Sequence, residues 1–206
     1  MLLTAIYLVA IAAEAASGAL MGMRRRMDLF GICFIGTVTA LGGGSVRDML
    51  LGHYPLGWVA HPEYLLFTVG AAIAAALLAR HAHRLHGIFL ALDALGLVAF
   101  TVIGCNVAES ANAPLAIVVL MGLVTGIFGG LARDVLCNQV PLVLRRDFYA
   151  SVSLLTGLLY VGLQRGGIAP GHATLVAVPA GCVLRLVAIR FRLGLPVFAP
   201  PGDAKK

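Results

Sequence analysis

Two pairs of charged residues dominate the chemistry of this 206-residue chain, and both sit where charge is costly. Arg47 and Asp48 lie inside one long apolar run, and Arg133 and Asp134 lie inside another. A charge at the centre of a membrane-spanning helix costs about 2.5–3.5 kcal/mol or more, so such residues pair with each other, face a protein interior or line a pathway. Each pair follows a glycine cluster, Gly42-Gly43-Gly44 in the first run and Gly129-Gly130 in the second. Glycine carries no Cβ penalty, so adjacent glycines permit a break or sharp kink in a helix. A break frees backbone carbonyls, which hydrocarbon tolerates only where they are buried in protein or face a water-filled cavity. The carbonyl end of a half-helix carries partial negative charge, which suits a cation. The same glycines serve equally to let helices pack closely. Thr39 and Thr125 precede the glycines by one turn. Their hydroxyls suit a pore lining or the satisfaction of backbone carbonyls. Neighbours in sequence project roughly 100° apart on a helix. One residue of each Arg-Asp pair is therefore expected to line the pathway while the other packs.

The two sites are copies. Residues 36–55, GTVTALGGGSVRDMLLGHYP, align without gaps on residues 122–141, GLVTGIFGGLARDVLCNQVP, at an offset of 86. Nine of the twenty positions are identical, among them Thr39 with Thr125, Gly43 with Gly129, Gly44 with Gly130, Arg47 with Arg133 and Asp48 with Asp134. Apolar composition explains matched Leu and Val, but not paired glycine, arginine and aspartate in one register. Glu14 and Asp93 are lone acids in the first and fourth apolar runs and are read as counterparts. Each is a pathway residue or the partner of a buried arginine.

These residues need spanning elements to hold them. The chain is 60% hydrophobic and 12% charged, with a mean hydropathy of +0.97. Soluble domains carry about 25% charged residues. The composition excludes disorder and argues against a water-soluble enzyme. Runs of about 20 apolar residues match the bilayer core. Seven spans are predicted, over 2–22, 29–52, 64–80, 87–108, 114–138, 147–164 and 172–191. Three spans per repeat is an odd number, so the second copy enters the membrane from the opposite side. The expected fold is an all-α integral membrane protein with seven transmembrane helices, an inverted 3+3 repeat plus a seventh helix, and broken second and fifth helices. It forms one transmembrane domain over 1–195, with repeat one about 1–84, repeat two about 86–166, helix seven about 171–192 and a flexible tail at 196–206.

Basic residues set the orientation. With the N-terminus outside, the cytoplasmic loops and tail hold Arg24, Arg25, Arg26, Arg80, Arg84, Arg145, Arg146, Arg190, Arg192, Lys205 and Lys206, against Arg165 alone outside. That bias predicts an N-out, C-in topology in a bacterial inner membrane. The positive charges follow the first span rather than precede it, so it is read as a retained helix and not a cleaved signal. Arg185 is expected to snorkel toward the cytoplasm. His81, His83 and His86 read as a solvated loop at headgroup level, and Tyr54 with Trp58 as interfacial aromatics.

Other functions find little support. The net charge of +6 reflects loop topology, so no nucleic-acid partner is expected. The four cysteines, Cys33, Cys105, Cys137 and Cys182, are scattered without zinc-ligand spacing. No metalloprotease helix motif, GxSxG or phosphate loop occurs. The chain is not expected to be an enzyme or to hold a metal or cofactor.

Taken together, the seven spans, the 3+3 repeat and the paired G-G-G-x-x-R-D and G-G-x-x-R-D motifs resemble the prokaryotic trimeric intracellular cation (TRIC) channels. The resemblance covers about residues 1–195. It implies a homotrimer in lipid, with one pore per subunit conducting monovalent cations, chiefly potassium. No TVGYG-type filter occurs in the sequence, so only modest selectivity for potassium over sodium is expected. It places Gly42, Gly43, Gly44, Gly129 and Gly130 at kinks beside the pore, followed by Arg47, Asp48, Arg133 and Asp134. The same family is also described as glycine transporters. A secondary transporter of a small amino acid is therefore the rival reading, since inverted repeats and broken helices also serve alternating access.

Overall fold

The computed structural model describes residues 2–79, 85–144 and 148–194. Arg80, His81, His83, Arg84, Arg145, Arg146, Lys205, Lys206 and the tail at 196–206 lie outside the described residues.

Helices account for nearly all of the described chain. They are α1 (Leu2–Arg24), α2 (Leu29–Leu51), α3 (Gly57–Ala60), α4 (Glu63–Ala79), α5 (Leu85–Ser110), α6 (Leu115–Leu136), α7 (Ala150–Arg165) and α8 (Pro170–Phe191), with a 3-10 turn at Leu142–Leu144. Among the described residues there is no strand. Local chemistry sets several ends. Asp28 caps α2 by accepting a hydrogen bond from the Gly31 amide at 2.8 Å. Gly52 closes the same helix in the left-handed region at φ 65°. Pro170 opens α8 at a position where no intrahelical amide is needed.

Five helices, α1, α2, α5, α6 and α8, are long and apolar enough to cross a membrane. α4 is apolar but has only 17 residues, a length of about 25 Å at 1.5 Å per residue. The long helices match the apolar runs to within a few residues. The one-turn α3, which carries Trp58, has no apolar run and was not expected.

The expected breaks are absent. α2 is one helix from Leu29 to Leu51, and α6 is one helix from Leu115 to Leu136. Gly43 and Gly129 serve close packing, as shown below.

Packing follows the internal repeat. α1, α2 and α4 contact one another, and α5, α6 and α7 do the same. The two groups join through α1 on α5 and α2 on α6, while α8 packs on α5 and α7. The central α5 buries Leu97, Val98, Val102 and Cys105 almost completely. Small residues make the close contacts possible: Ala173 and Ala177 of α8 are fully buried, and Gly181 abuts Thr156 and Val98. Arg185 does not snorkel. It is 1% exposed, lies 4.6 Å over the Tyr149 ring and donates to the Phe148 carbonyl at 3.4 Å. An aromatic face and a carbonyl inside the bundle give the guanidinium partners, so it need not reach the headgroups.

Polar contacts tie helices where hydrocarbon supplies no hydrophobic drive. The hydroxyls of Thr101 on α5 and Ser153 on α7 lie 2.6 Å apart, both fully buried. Thr101→Val removes that bond. The expected destabilisation is about 0.6–1.7 kcal/mol, the range of interhelical hydrogen bonds in membranes. Unfolding in mixed detergent micelles measures it, and a neutral result would show that the bond contributes nothing.

Candidate functional site

The site begins where α2 crosses α6. A Cβ placed on Gly43 would overlap the Thr125 carbonyl oxygen, and one on Gly129 would overlap the Thr39 carbonyl oxygen. The contact is reciprocal across the two motif copies. Glycine is required at both positions because backbone meets backbone with no room for a side chain. Gly42 and Gly44 are less constrained: a Cβ on either would find ordinary contacts at 3.7–4.0 Å. The threonine hydroxyls turn back on their own helices. Thr39 donates to the Ile35 carbonyl and Thr125 to the Met121 carbonyl, each at 2.6 Å. Each hydroxyl also packs beside a glycine of the preceding helix, Gly18 for Thr39 and Gly104 for Thr125.

One turn beyond the crossing come the charges. Within each motif the arginine pairs with its own neighbour. Arg47 donates to Asp48 Oδ1 through Nε at 2.9 Å and Nη2 at 2.7 Å. Arg133 donates to Asp134 Oδ1 through Nε at 2.8 Å. The adjacent residues pair with each other, yet only one of each pair lines a cavity, Arg47 in the first copy and Asp134 in the second. A long arginine stem spans the angle that separates the two Cβ directions. Each aspartate uses its other oxygen to hold the chain that follows its helix. Asp48 Oδ2 accepts from the Gly57 amide at 3.1 Å, and Asp134 Oδ2 accepts from the Leu142 amide at 2.9 Å.

The two copies differ in what surrounds the arginine. Arg133 is fully buried and also donates through Nη1 to Asp93 Oδ1 and Ser17 Oγ, both at 2.7 Å. Its guanidinium lies 4.6 Å over the Phe89 ring, and Tyr149 donates to Asp93 Oδ1 at 3.4 Å. Arg47 has Asp48 as its acidic partner, and its Nη1 has no hydrogen-bond partner among the described residues. Glu14 is buried with its carboxylate packed against Gly96, where a Cβ would collide with it. Glu14 Oε2, Asp93 Oδ2 and Arg133 Nη2 likewise lack partners among the described residues. Glu14 and Asp93 are not counterparts: at the offset of 86, Asp93 falls opposite Tyr7, and Glu14 opposite Phe100.

Two cavities open at opposite ends of α1. One, of about 250 Å³, is lined by Thr4, Tyr7, Arg47, His61, Tyr64 and Asn106 among others. The other, of about 310 Å³, is lined by Arg24, Arg25, His86, Phe89, Asp134 and Gln139 among others. The α2–α6 crossing lies between them, against Gly18 in the body of α1. Each cavity thus meets one Arg-Asp motif, and the tight glycine contact separates them. Sequence reasoning missed Tyr7, Ser17, Asn106 and Tyr149. Of these, Tyr7 had a signal, since it occupies the repeat position of Asp93.

The chain matches the family model described as "Glycine transporter" twice, over residues 4–80 and 90–165. It is 39% identical to the inner membrane protein YadS of Escherichia coli (strain K12), over 93% of this chain and 94% of that protein. A membrane protein of Vibrio cholerae is 37% identical over 96% of this chain and 83% of its own length. The crystal structure of the TRIC trimeric intracellular cation channel orthologue from Rhodobacter sphaeroides superposes with a TM-score of 0.89, at 32% identity, over 93% of this chain and 98% of that one. The chain belongs to the prokaryotic TRIC family. Its relatives in that family are membrane proteins and channels rather than enzymes. With five helices of crossing length and apolarity, this TRIC-family chain is a multi-pass membrane protein.

Proposed function

We propose that the chain is a potassium-permeable monovalent cation channel of the inner membrane that assembles as a homotrimer. The likeness to the R. sphaeroides TRIC channel over 93% of the chain is the observation that carries this reading. All seven long helices would span the bilayer, the two three-helix repeats in opposite directions, with the N-terminus outside and the C-terminus in the cytoplasm. Each subunit would carry its own pathway, running from one cavity to the other past the α2–α6 crossing. Thr39, Gly42, Gly43, Gly44, Arg47 and Asp48 would border it from one side, and Thr125, Gly129, Gly130, Arg133 and Asp134 from the other. Glu14 and Asp93 stand beside it as buried acids. Carbonyls and hydroxyls at the crossing would replace part of the hydration shell of an ion. No TVGYG-type filter occurs in the chain, so potassium would be favoured over sodium only modestly. No cofactor takes part; the ions themselves are the cargo.

Flux into proteoliposomes tests the reading. Reconstituted protein is expected to pass potassium down its gradient without saturation at low millimolar concentration, and to take up no labelled glycine. Saturable glycine uptake with no potassium flux would overturn the channel reading in favour of a transporter.

A further inference from the structure

The cavity at the Arg24 end stops at an aromatic ring. Phe89 lines it yet is 2% exposed, packed in one cluster with Leu20, Leu142 and Tyr149. Two guanidinium groups lie over this ring, Arg24 at 5.3 Å and Arg133 at 4.6 Å from its centroid. His86 stacks on it at 6.4 Å, and its Nδ1 lies 3.3 Å from Arg24 Nη1. Arg24 and His86 line the cavity, whereas Arg133 is fully buried. Phe89 thus separates the cavity from the charged cluster inside.

Helix periodicity carries the polar lining on behind the ring. On α1, Arg24, Met21, Ser17 and Glu14 follow at three- and four-residue steps and share a face. On α5, His86, Phe89, Asp93 and Gly96 do the same. The outer members of both rows line the cavity. The inner members meet in the protein: Ser17 and Asp93 both accept from Arg133 Nη1 at 2.7 Å, and the Glu14 carboxylate packs on Gly96.

The cluster behind the ring is incompletely satisfied. Glu14 Oε2, Asp93 Oδ2 and Arg133 Nη2 have no partner among the described residues. A buried polar atom without a partner carries its full desolvation cost, and water that reaches it removes that cost. Moving the ring aside gives up apolar burial and two cation–π contacts, while the polar atoms gain water. Opposed changes of this kind at one side chain suit a two-position element. The cavity, of about 310 Å³, gives the ring a place to go. The other cavity has Leu3 at the repeat position of Phe89, which offers a guanidinium no ring face.

We propose that Phe89 is the gate of the conduction pathway at the Arg24 end. With the ring seated on Arg24 and Arg133 the pathway is shut. With the ring swung into the cavity, water and cations reach Asp93 and Glu14. This inference rests on the channel reading above.

Two readouts test it. Ser17→Cys places a thiol behind the ring, and its modification by methyl methanethiosulfonate in detergent needs no ion flux. Mass spectrometry of the peptide containing residue 17 reads the rate apart from the native cysteines. Adding Phe89→Ala should speed modification at least about tenfold, because apolar burial and two cation–π contacts no longer hold the pathway shut. The same substitution should raise potassium flux into proteoliposomes. Arg24→Gln lies at an exposed position, leaves the core intact and keeps the test open if Phe89→Ala does not fold. It should speed modification about two- to fivefold, the shift that loss of one exposed cation–π contact gives. Leu97→Ala opens a void in the same apolar cluster, away from the cavity, and should change neither readout. Equal acceleration in Leu97→Ala would mean general loosening and would overturn the gate. Potassium flux in the unaltered protein with unchanged modification in the Phe89 and Arg24 variants rejects the gate alone. Absence of flux from every variant rejects the channel reading, whatever the modification rate.

Discussion

Replacing Arg133 with alanine is expected to destabilise the protein by about 3–5 kcal/mol, the usual cost of breaking a buried ion pair from one side. The reason is what the substitution leaves behind. Asp93 is fully buried and Asp134 is 2% exposed, and both direct an oxygen at the Arg133 guanidinium at 2.7–2.8 Å. Without the cation, two carboxylates stay in the interior with one backbone amide and one phenol between them. Arg47→Ala should cost clearly less. It strands one acid, and Asp48 keeps the Gly57 amide and has His53 at 3.4 Å. Removing Asp93 together with Arg133, as Arg133→Ala/Asp93→Asn, should recover part of the loss, because the two residues act as one unit. Thermal unfolding in detergent, with size-exclusion profiles to follow assembly, reads all three variants. Equal losses at Arg47 and Arg133 would contradict the picture of one heavily charged copy and one lightly charged copy.

Gly43→Ala and Gly129→Ala form the second large effect. Each added methyl would enter a backbone carbonyl of the partner helix, Thr125 for one and Thr39 for the other. A carbonyl in a helix cannot swing aside as a side-chain tip can. α2 and α6 must separate, at a cost in the overpacking range of about 1–3 kcal/mol. The pathway between the helices should change with them, so unit conductance should shift in either variant. Because both substitutions push on one crossing, the double variant should lose less than the sum of the singles. Two controls isolate the cause. Gly42→Ala meets its nearest atoms at 4.0 Å, and Gly162→Ala meets nothing within 4 Å. Both should be tolerated, and Gly162→Ala should be neutral or slightly stabilising because it relieves the entropic cost of glycine in a helix. Equal intolerance at Gly42 and Gly43 would point to a hinge in α2 rather than a contact point.

The glycines also mark where sequence reading stops. Their clustering, their repetition at an offset of 86 and the charges after them are all visible in the sequence. Whether they break a helix or let two helices touch is not visible, because both uses require the missing Cβ. The partner's carbonyl decides it, and that carbonyl lies 82 residues away for Gly43 and 90 residues away for Gly129. The spans were legible because about 20 apolar residues in a row leave little choice in a bilayer. α3 was not, since its single turn is held by contacts rather than by composition, among them Trp58 Nε1 to Ser45 Oγ at 3.0 Å.

The charged groups show the same division. An arginine and an aspartate deep in apolar runs must find partners, and that much follows from solvation alone. Which partners they find depends on tertiary placement. Asp93 reaches Arg133 across 40 residues and Ser17 reaches it across 116. Neighbouring Cβ directions on an ideal helix gave no sign that Arg47 pairs with Asp48, because the arginine side chain is long enough to curl back. Carrying the repeat offset through the whole of α1 and α5 would have paired Asp93 with Tyr7. It would also have exposed the asymmetry between the two cavities.

The central claim is that cations cross each subunit past the α2–α6 contact. Single-channel recording of purified protein in planar bilayers under a KCl gradient tests it most directly. Discrete openings that reverse near the potassium equilibrium potential, with altered unit conductance in Gly129→Ala, are the predicted result. A silent bilayer from intact, correctly assembled protein, or openings that reverse near the chloride potential, would contradict the account.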